Sequence, residues 1–184
     1  MPSVILNDVT RAILERRTVR SFTDEPLTPD EIQTLLDCAM WAPSGRNSQS
    51  CFVRVITDKS ALDRLNFDFK NTVGWDTPAY TRWDVNPVYQ TAPALFLIFA
   101  DCPDPLNGGI MAENICIAAQ GMGLNSCMIG SVGALFDCGT GAKWKKLLKV
   151  PEKCPFIVSV AVGHGNETPE PKDRKPERFY EVKL

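Results

Sequence analysis

The sequence predicts an α+β protein, one sheet covered by helices, and three observations carry that reading. Segments with helical spacing of apolar residues interleave with short strand-like blocks. Those blocks are few and unevenly spaced. The two longest, 94–100 and 156–162, lie about sixty residues apart, whereas a doubly wound parallel sheet repeats strand and helix at short intervals. At 184 residues, 44% hydrophobic and 23% charged, the chain has the size of a single domain and the composition of a folded one.

Residues 3–17 place Val9, Ile13 and Leu14 on one face among Asp8, Arg11, Glu15 and Arg16, which predicts a first amphipathic helix. Thr28-Pro29-Asp30-Glu31 opens a second: Thr28 can cap, Pro29 suits the first helical position, and Glu31 completes a capping box. Ile32, Leu35, Leu36, Ala39 and Met40 follow at helical spacing until Pro43. The loop 42–49 leads into a strand over 51–57, and Asp58-Lys59-Ser60 opens a short helix through Leu65. From 66 to 91 the periodicity fails, yet six of the sixteen aromatics fall there, Phe67, Phe69, Trp75, Tyr80, Trp83 and Tyr89, which marks a lid or a wrap over a neighbouring surface. Ala94–Ala100 reads as a strand buried on both faces. A helix over 109–122 has little polar surface and is placed at the centre. A short strand over 126–131, a basic helix over 144–150, a strand over 156–162 and a polar tail complete the chain.

Composition excludes several function classes. The longest apolar stretch, 92–100, is far short of the ~20 residues of a membrane helix. Charges at Asp8, Arg11, Glu15, Arg16 and Arg17 interrupt the run a signal peptide needs, so the chain reads as cytoplasmic. Seven cysteines without a Cys-x-x-Cys and a single histidine, His164, argue against a disulfide framework and structural zinc. A formal charge of −2 disfavours nucleic acid as a partner. Gly121-Met122-Gly123 lacks the third glycine of a dinucleotide fingerprint, and Gly139-Thr140-Gly141-Ala142-Lys143 lacks the ending of a phosphate-binding loop. There is no Gly-x-Ser-x-Gly, and His164 reads as a surface or cap residue. Cys51 and Cys127 read as small packing residues.

Two basic clusters remain: Arg16, Arg17 and Arg20 around Thr18, and Lys172, Arg174 and Lys175 near the C-terminus. Guanidinium forks match phosphate oxygens, so the first cluster is either an anion site or a solvated charge run. Spacing alone leaves both open.

The blocks Glu15-Arg16-Arg17-Thr18-Val19-Arg20-Ser21-Phe22, then Pro26-Leu27, then Ala39-x-x-Ala42-Pro43-Ser44-x-x-Asn47-x-Gln49, resemble the signature of the nitroreductase family of FMN-dependent oxidoreductases. Met111 to Ala119 with Gly121-Met122-Gly123-Leu124 resembles that family's central helix. Ala161-Val162-Gly163 with Pro171-Lys172-x-Arg174-Lys175-Pro176 resembles its closing strand and tail. The blocks occur in family order over nearly the whole chain.

The resemblance implies a mixed, mainly antiparallel central sheet, a single FMN-binding domain over 1–184 with 66–91 on the substrate side, and a homodimer. It implies that Arg16, Thr18, Lys172 and Arg174 hold the FMN phosphate, with backbone contacts from Arg17 and with Arg20 nearer the ribityl chain and the pyrimidine edge of the ring. Pro43, Ser44, Gly45, Arg46, Asn47 and Gln49 would line the flavin from the partner subunit, and the backbone around Ile129 and Gly130 would face N5 and O4. The implied reaction is ping-pong: NADH or NADPH gives hydride to flavin N5, and a small acceptor such as a nitroaromatic or quinone takes its place. A flavin-binding carrier or redox sensor without turnover is the alternative, motivated by the aromatic segment 66–91. Two departures stand out. Gln49 continues into Ser50-Cys51 where the family often has Pro-Trp, and Val88-Tyr89-Gln90 offers no lysine toward the ring.

Overall fold

Four strands paired antiparallel throughout form the centre of the computed structural model, which describes residues 4–76 and 87–182. They are β1 (Cys51–Ile56), β2 (Ala94–Ala100), β3 (Asn125–Ile129) and β4 (Phe156–Gly163), in the order β1-β2-β4-β3. β1 and β3 are therefore the two edges. Among the described residues the one parallel element is an isolated bridge from Thr18 to Ser126, alongside β3. The mixed, mainly antiparallel α+β sheet is thus as expected.

β2 is buried along its whole length because both faces are covered. Ala94, Phe96 and Ile98 belong to one core with Leu35, Ala39, Ala112 and Ile115. Leu95, Leu97 and Phe99 belong to the other with Leu62, Leu65, Leu135 and Trp144. Strand alternation makes this division. The first core lies under helices α2 (Pro29–Met40) and α4 (Pro105–Gly121); the second lies under α3 (Lys59–Val73), α5 (Gly133–Phe136) and α6 (Gly139–Leu147). Phe99 is the hub of the second core, with Phe52, Phe136 and Phe156 rings at 6.1, 5.1 and 5.7 Å.

The capping box of α2 forms as read, the Thr28 hydroxyl accepting from Glu31 N–H at 3.2 Å and the Glu31 carboxylate from Thr28 N–H at 2.7 Å. Other boundaries shift. Helix α3 continues to Val73 rather than stopping near Leu65, because Phe69 and Lys70 extend its buried face. The first part of 66–91 is therefore helix, while Tyr80 and Trp83 lie outside the described residues. The central helix starts at Pro105, with Asp104 as cap, and Gly123 at φ +79° ends it in the left-handed conformation that glycine adopts without penalty. The short α5 was not legible as a helix in advance. The basic helix starts at Gly139 rather than Trp144.

Helix α1 (Asp8–Glu15) is shorter than its pattern. Only Ala12 is buried, while Val9, Ile13 and Leu14 are more than half exposed. The apolar face read from the sequence exists, but the described residues leave it more than half exposed.

Candidate active site

The residues after α1 leave the helix and zip onto the residues after β4. Val19 N–H donates to Ser126 O at 3.1 Å, which fastens the segment to the β3 edge. Phe22 then bridges Gly165 antiparallel, Thr23 N–H donates to His164 O (2.9 Å), and Asn166 N–H donates to Ser21 O (2.8 Å). The same register carries Glu167 to Arg20, whose backbone N–H the Glu167 carboxylate accepts at 2.5 Å. Continued further, it lays the C-terminal tail along residues 16–18. The result is a hollow of about 150 Å³ lined by Arg16, Arg17, Thr18, Arg20, Pro169, Glu170, Lys172 and Arg174.

Six of the residues singled out in the sequence thus meet, from positions more than 150 apart. Among the described residues none of Arg16, Arg17, Lys172 and Arg174 forms an ion pair. Cations collected without carboxylate partners repel one another until an anion joins them, so the donor set fits a phosphate. Glu170 on the rim moderates the field. The Arg17 guanidinium turns back to donate to Leu14 O (2.9 Å) and Arg16 O (2.8 Å), satisfying carbonyls at the end of α1.

From the Thr18–Ser126 rung, β3 runs three residues, roughly 10 Å, to Ile129 and the exposed Gly130. The Ile129 carbonyl is taken by the buried Ser159 hydroxyl at 2.8 Å. Burial pushes the Cys127 thiol on this strand up, against the pull of Arg20 and Arg16, so it stays neutral and serves packing. Burial pushes Cys51 up as well.

The loop 43–49 lies elsewhere. It enters β1, the far edge, at the end where Cys51 pairs with Ala100, whereas Ser126 aligns through Val162 with Ala94 at the opposite end. With strands ~4.8 Å apart and ~3.4 Å per residue, the diagonal between the two regions is roughly 25 Å. One chain does not bring them together. The loop is nonetheless tightly built. Arg46, Asn47 and Gln49 sit at φ 55°, 53° and 47°, in the left-handed region. Gln49 N–H donates to Ser44 Oγ at 3.0 Å, and Gly45 N–H donates to Asn107 Oδ1 at 3.1 Å. Beside it an apolar groove of about 230 Å³ is lined by Leu36, Met40, Ala42, Pro43, Phe52 and Met111 among others.

Residues the motif reading missed are Asp104, Asn107 and Ser50, which tie this loop to the start of α4. The Asp-Pro-x-Asn of 104–107 signals a capped helix start, but nothing local says which loop it reaches. His164 sits half-buried with Nε2 3.8 Å from Glu25 Oε1, the structural role expected of it.

Fold and site together define a protein that gathers cationic side chains from both ends of the chain into one hollow at one edge of an antiparallel α+β sheet. A model of the nitroreductase family matches residues 13–101. An NADPH-flavin oxidoreductase of Vibrio harveyi is 29% identical over 181 residues, covering 93% of this chain and 71% of its own. A crystal structure of a nitroreductase with bound FMN from Desulfitobacterium hafniense superposes with a TM-score of 0.88 at 26% identity, covering 97% of this chain and all of that one. An FMN-dependent nitroreductase from Clostridium difficile gives 0.75 at 27% identity, covering 97% and 99%. By these matches the chain is similar to the nitroreductase family in sequence over residues 13–101 and in fold over nearly its whole length.

Proposed function

We propose that the protein is an FMN-dependent oxidoreductase that takes reducing equivalents from NADH or NADPH and passes them to a small conjugated acceptor such as a nitroaromatic or quinone. The observation that carries this reading is the convergence of Arg16, Thr18, Lys172 and Arg174 on one hollow. The related flavin reductase and the FMN-bound neighbour support it.

In this reading the four residues hold the phosphate, each contact being charge-assisted and worth about 1.5–3 kcal/mol. Arg20, one step further along the β3 edge, places positive charge toward the pyrimidine side of the ring. The backbone at Ile129 and Gly130 meets its central edge, where the lack of a side chain on Gly130 admits close approach. Bound FMN supplies the hydride-accepting ring, so the protein needs no nucleophile of its own. The sequence departure at Val88-Tyr89-Gln90 leaves Arg20 as the cation assigned to that end.

The site is completed by a second copy. Pro43, Ser44, Gly45, Arg46, Asn47 and Gln49 lie too far from the cationic hollow to reach the same mononucleotide from one chain, so the partner's loop lines the ring. Uncovered apolar surface supports the pairing: Trp41 and Phe179 are each 82% exposed, and the outer face of α1 is bare. Acceptor choice is assigned to the 66–91 segment, where Phe67 and Trp75 stand edge to face at 5.8 Å. No helix among the described residues is long and apolar enough to cross a membrane, and a cytoplasmic place for the protein is part of the proposal.

The test is spectroscopic. Purified protein is expected to carry flavin absorbance that bleaches when NADH or NADPH is added under argon and returns when acceptor follows. Flavin that resists both nucleotides would instead mark a carrier.

A further inference from the structure

We infer that Asn107, oriented by Asp104, is the positioning residue that shapes the loop 43–49, and that through this loop it sets the FMN affinity of the partner's cationic half rather than that of its own. The inference rests on the two-chain site proposed above and adds a residue that touches no flavin.

Asn107 is 7% exposed and spends its whole amide on this region. Its Oδ1 accepts from Gly45 N–H (3.1 Å); its Nδ2 lies within donating distance of Asp104 Oδ2 (2.6 Å), Ser48 Oγ (3.2 Å) and Ser50 Oγ (3.3 Å). One side chain thus grips both the start and the end of the loop. Asp104 does two jobs with its two oxygens. Oδ1 caps α4 by accepting Asn107 N–H at 3.2 Å, while Oδ2 also accepts the Ser50 hydroxyl at 2.5 Å.

The anchor itself is closely packed on the sheet. The next residue, Gly108, packs against the bulge where β4 skips a residue opposite β2: a Cβ there would meet Ile157 Cγ2 at 2.4 Å. Position 107 is therefore fixed relative to the sheet. The loop has hydrogen bonds of its own, from Asn47 N–H to Ser44 O and from Gln49 N–H to Ser44 Oγ, but arginine and glutamine in the left-handed region are disfavoured and persist only where surroundings over-determine them. The side-chain grip, rather than local preference, presents the loop outward.

The experiment uses full-length protein and FMN fluorescence titration. Asn107→Leu is expected to raise the Kd of the homodimer by about tenfold or more, the loss of one or more hydrogen bonds' worth of preorganisation. Asp104→Asn, which keeps a good helix cap, is expected to raise it by about threefold to tenfold and guards against a misfolded Leu variant. Parental affinity in both overturns the assignment.

The role is separated from mere stabilisation by mixing. Differently tagged Asn107→Leu and Arg174→Ala chains are co-expressed and the heterodimer isolated, with Asp104→Asn standing in if the Leu variant is insoluble. One of its two sites joins an intact cationic half to an intact loop, so one FMN per dimer is expected at parental affinity. Two weakened homodimers with no restored site would mean that the loop acts within its own chain, and the inference fails. A parent that sediments as a flavin-loaded monomer removes the two-chain reading itself, and the inference with it.

Discussion

The cationic hollow and the loop 43–49 face the same demand, fixed donors at a set place, and meet it by opposite means. The hollow is assembled from two segments far apart in sequence, held by main-chain hydrogen bonds between residues 21–23 and 164–166 and by the Glu167 carboxylate on Arg20 N–H. Among the described residues its charges at Arg16, Lys172 and Arg174 have no ion-pair partners. The loop is one local stretch with left-handed backbone at Arg46, Asn47 and Gln49, held by its own Ser44 and by one buried amide. The hollow stores electrostatic repulsion that an anion relieves; the loop stores conformational strain that Asn107 restrains. In the proposed two-chain site, binding energy and geometry would come from different edges of the sheet, each supplied by a different chain.

Damage to the shared sheet should not distinguish the two regions. Phe99→Ala removes the hub of an aromatic cluster and is expected to cost about 3–5 kcal/mol in urea unfolding, with flavin lost from both halves together. Retained stability would show that the sheet is not their common floor.

Arg16→Ala and Arg174→Ala should each weaken FMN binding by about ten- to a hundredfold at an unchanged urea midpoint, since exposed or half-exposed unpaired cations contribute little to folding. Stoichiometric flavin after gel filtration of both variants would end the claim that the chain's two ends grip one group.

Arg46→Gly sharpens the contrast from the other side. Releasing a left-handed arginine should raise folding stability by about 0.5–1 kcal/mol, read as a higher urea midpoint, without helping flavin affinity. A lower midpoint would mean that the loop is unstrained.

The smallest effect concerns the turn behind the hollow. Thr91 Oγ1 lies 3.3 Å from both the N–H and the carbonyl of Phe22, and buried Tyr89 anchors that turn by donating to Asp63 at 2.5 Å while Lys59 donates to Tyr89 at 2.7 Å. The Tyr89 hydroxyl, then Lys59, hold the Asp63 carboxyl below the usual aspartate range. A depressed folded pKa contributes stability that is full above the unfolded value, ~3.9, and is lost as pH falls through the folded one. Asp63→Asn should therefore lower the melting midpoint slightly between pH 8 and 5, the pair being exposed. The difference should close only below about pH 4; a gap that closes near pH 6 would assign it to another group.

Much of this was legible residue by residue. The capping box at Thr28–Glu31, the doubly buried Ala94–Ala100 and the identity of the cationic residues follow from local chemistry, because a cap, a strand and a guanidinium need few neighbours to be recognised. The extent of α3 past Leu65 was not legible. Phe69 and Lys70 extend its buried face only in the presence of the sheet and α5. The fate of Val9, Ile13 and Leu14 was misleading: their pattern promised burial, and the chain leaves them bare.

The amino-acid order by itself determined which groups could bind an anion, where helices begin, and that one strand would be covered on both sides, since charge, capping and alternation are properties of neighbours in sequence. Only the tertiary structure decided that Arg16 and Arg174 share a hollow while Asn47 lies across the sheet from both. Strand order β1-β2-β4-β3 is set by non-local pairing, and no pattern confined to one segment encodes which edge it will meet.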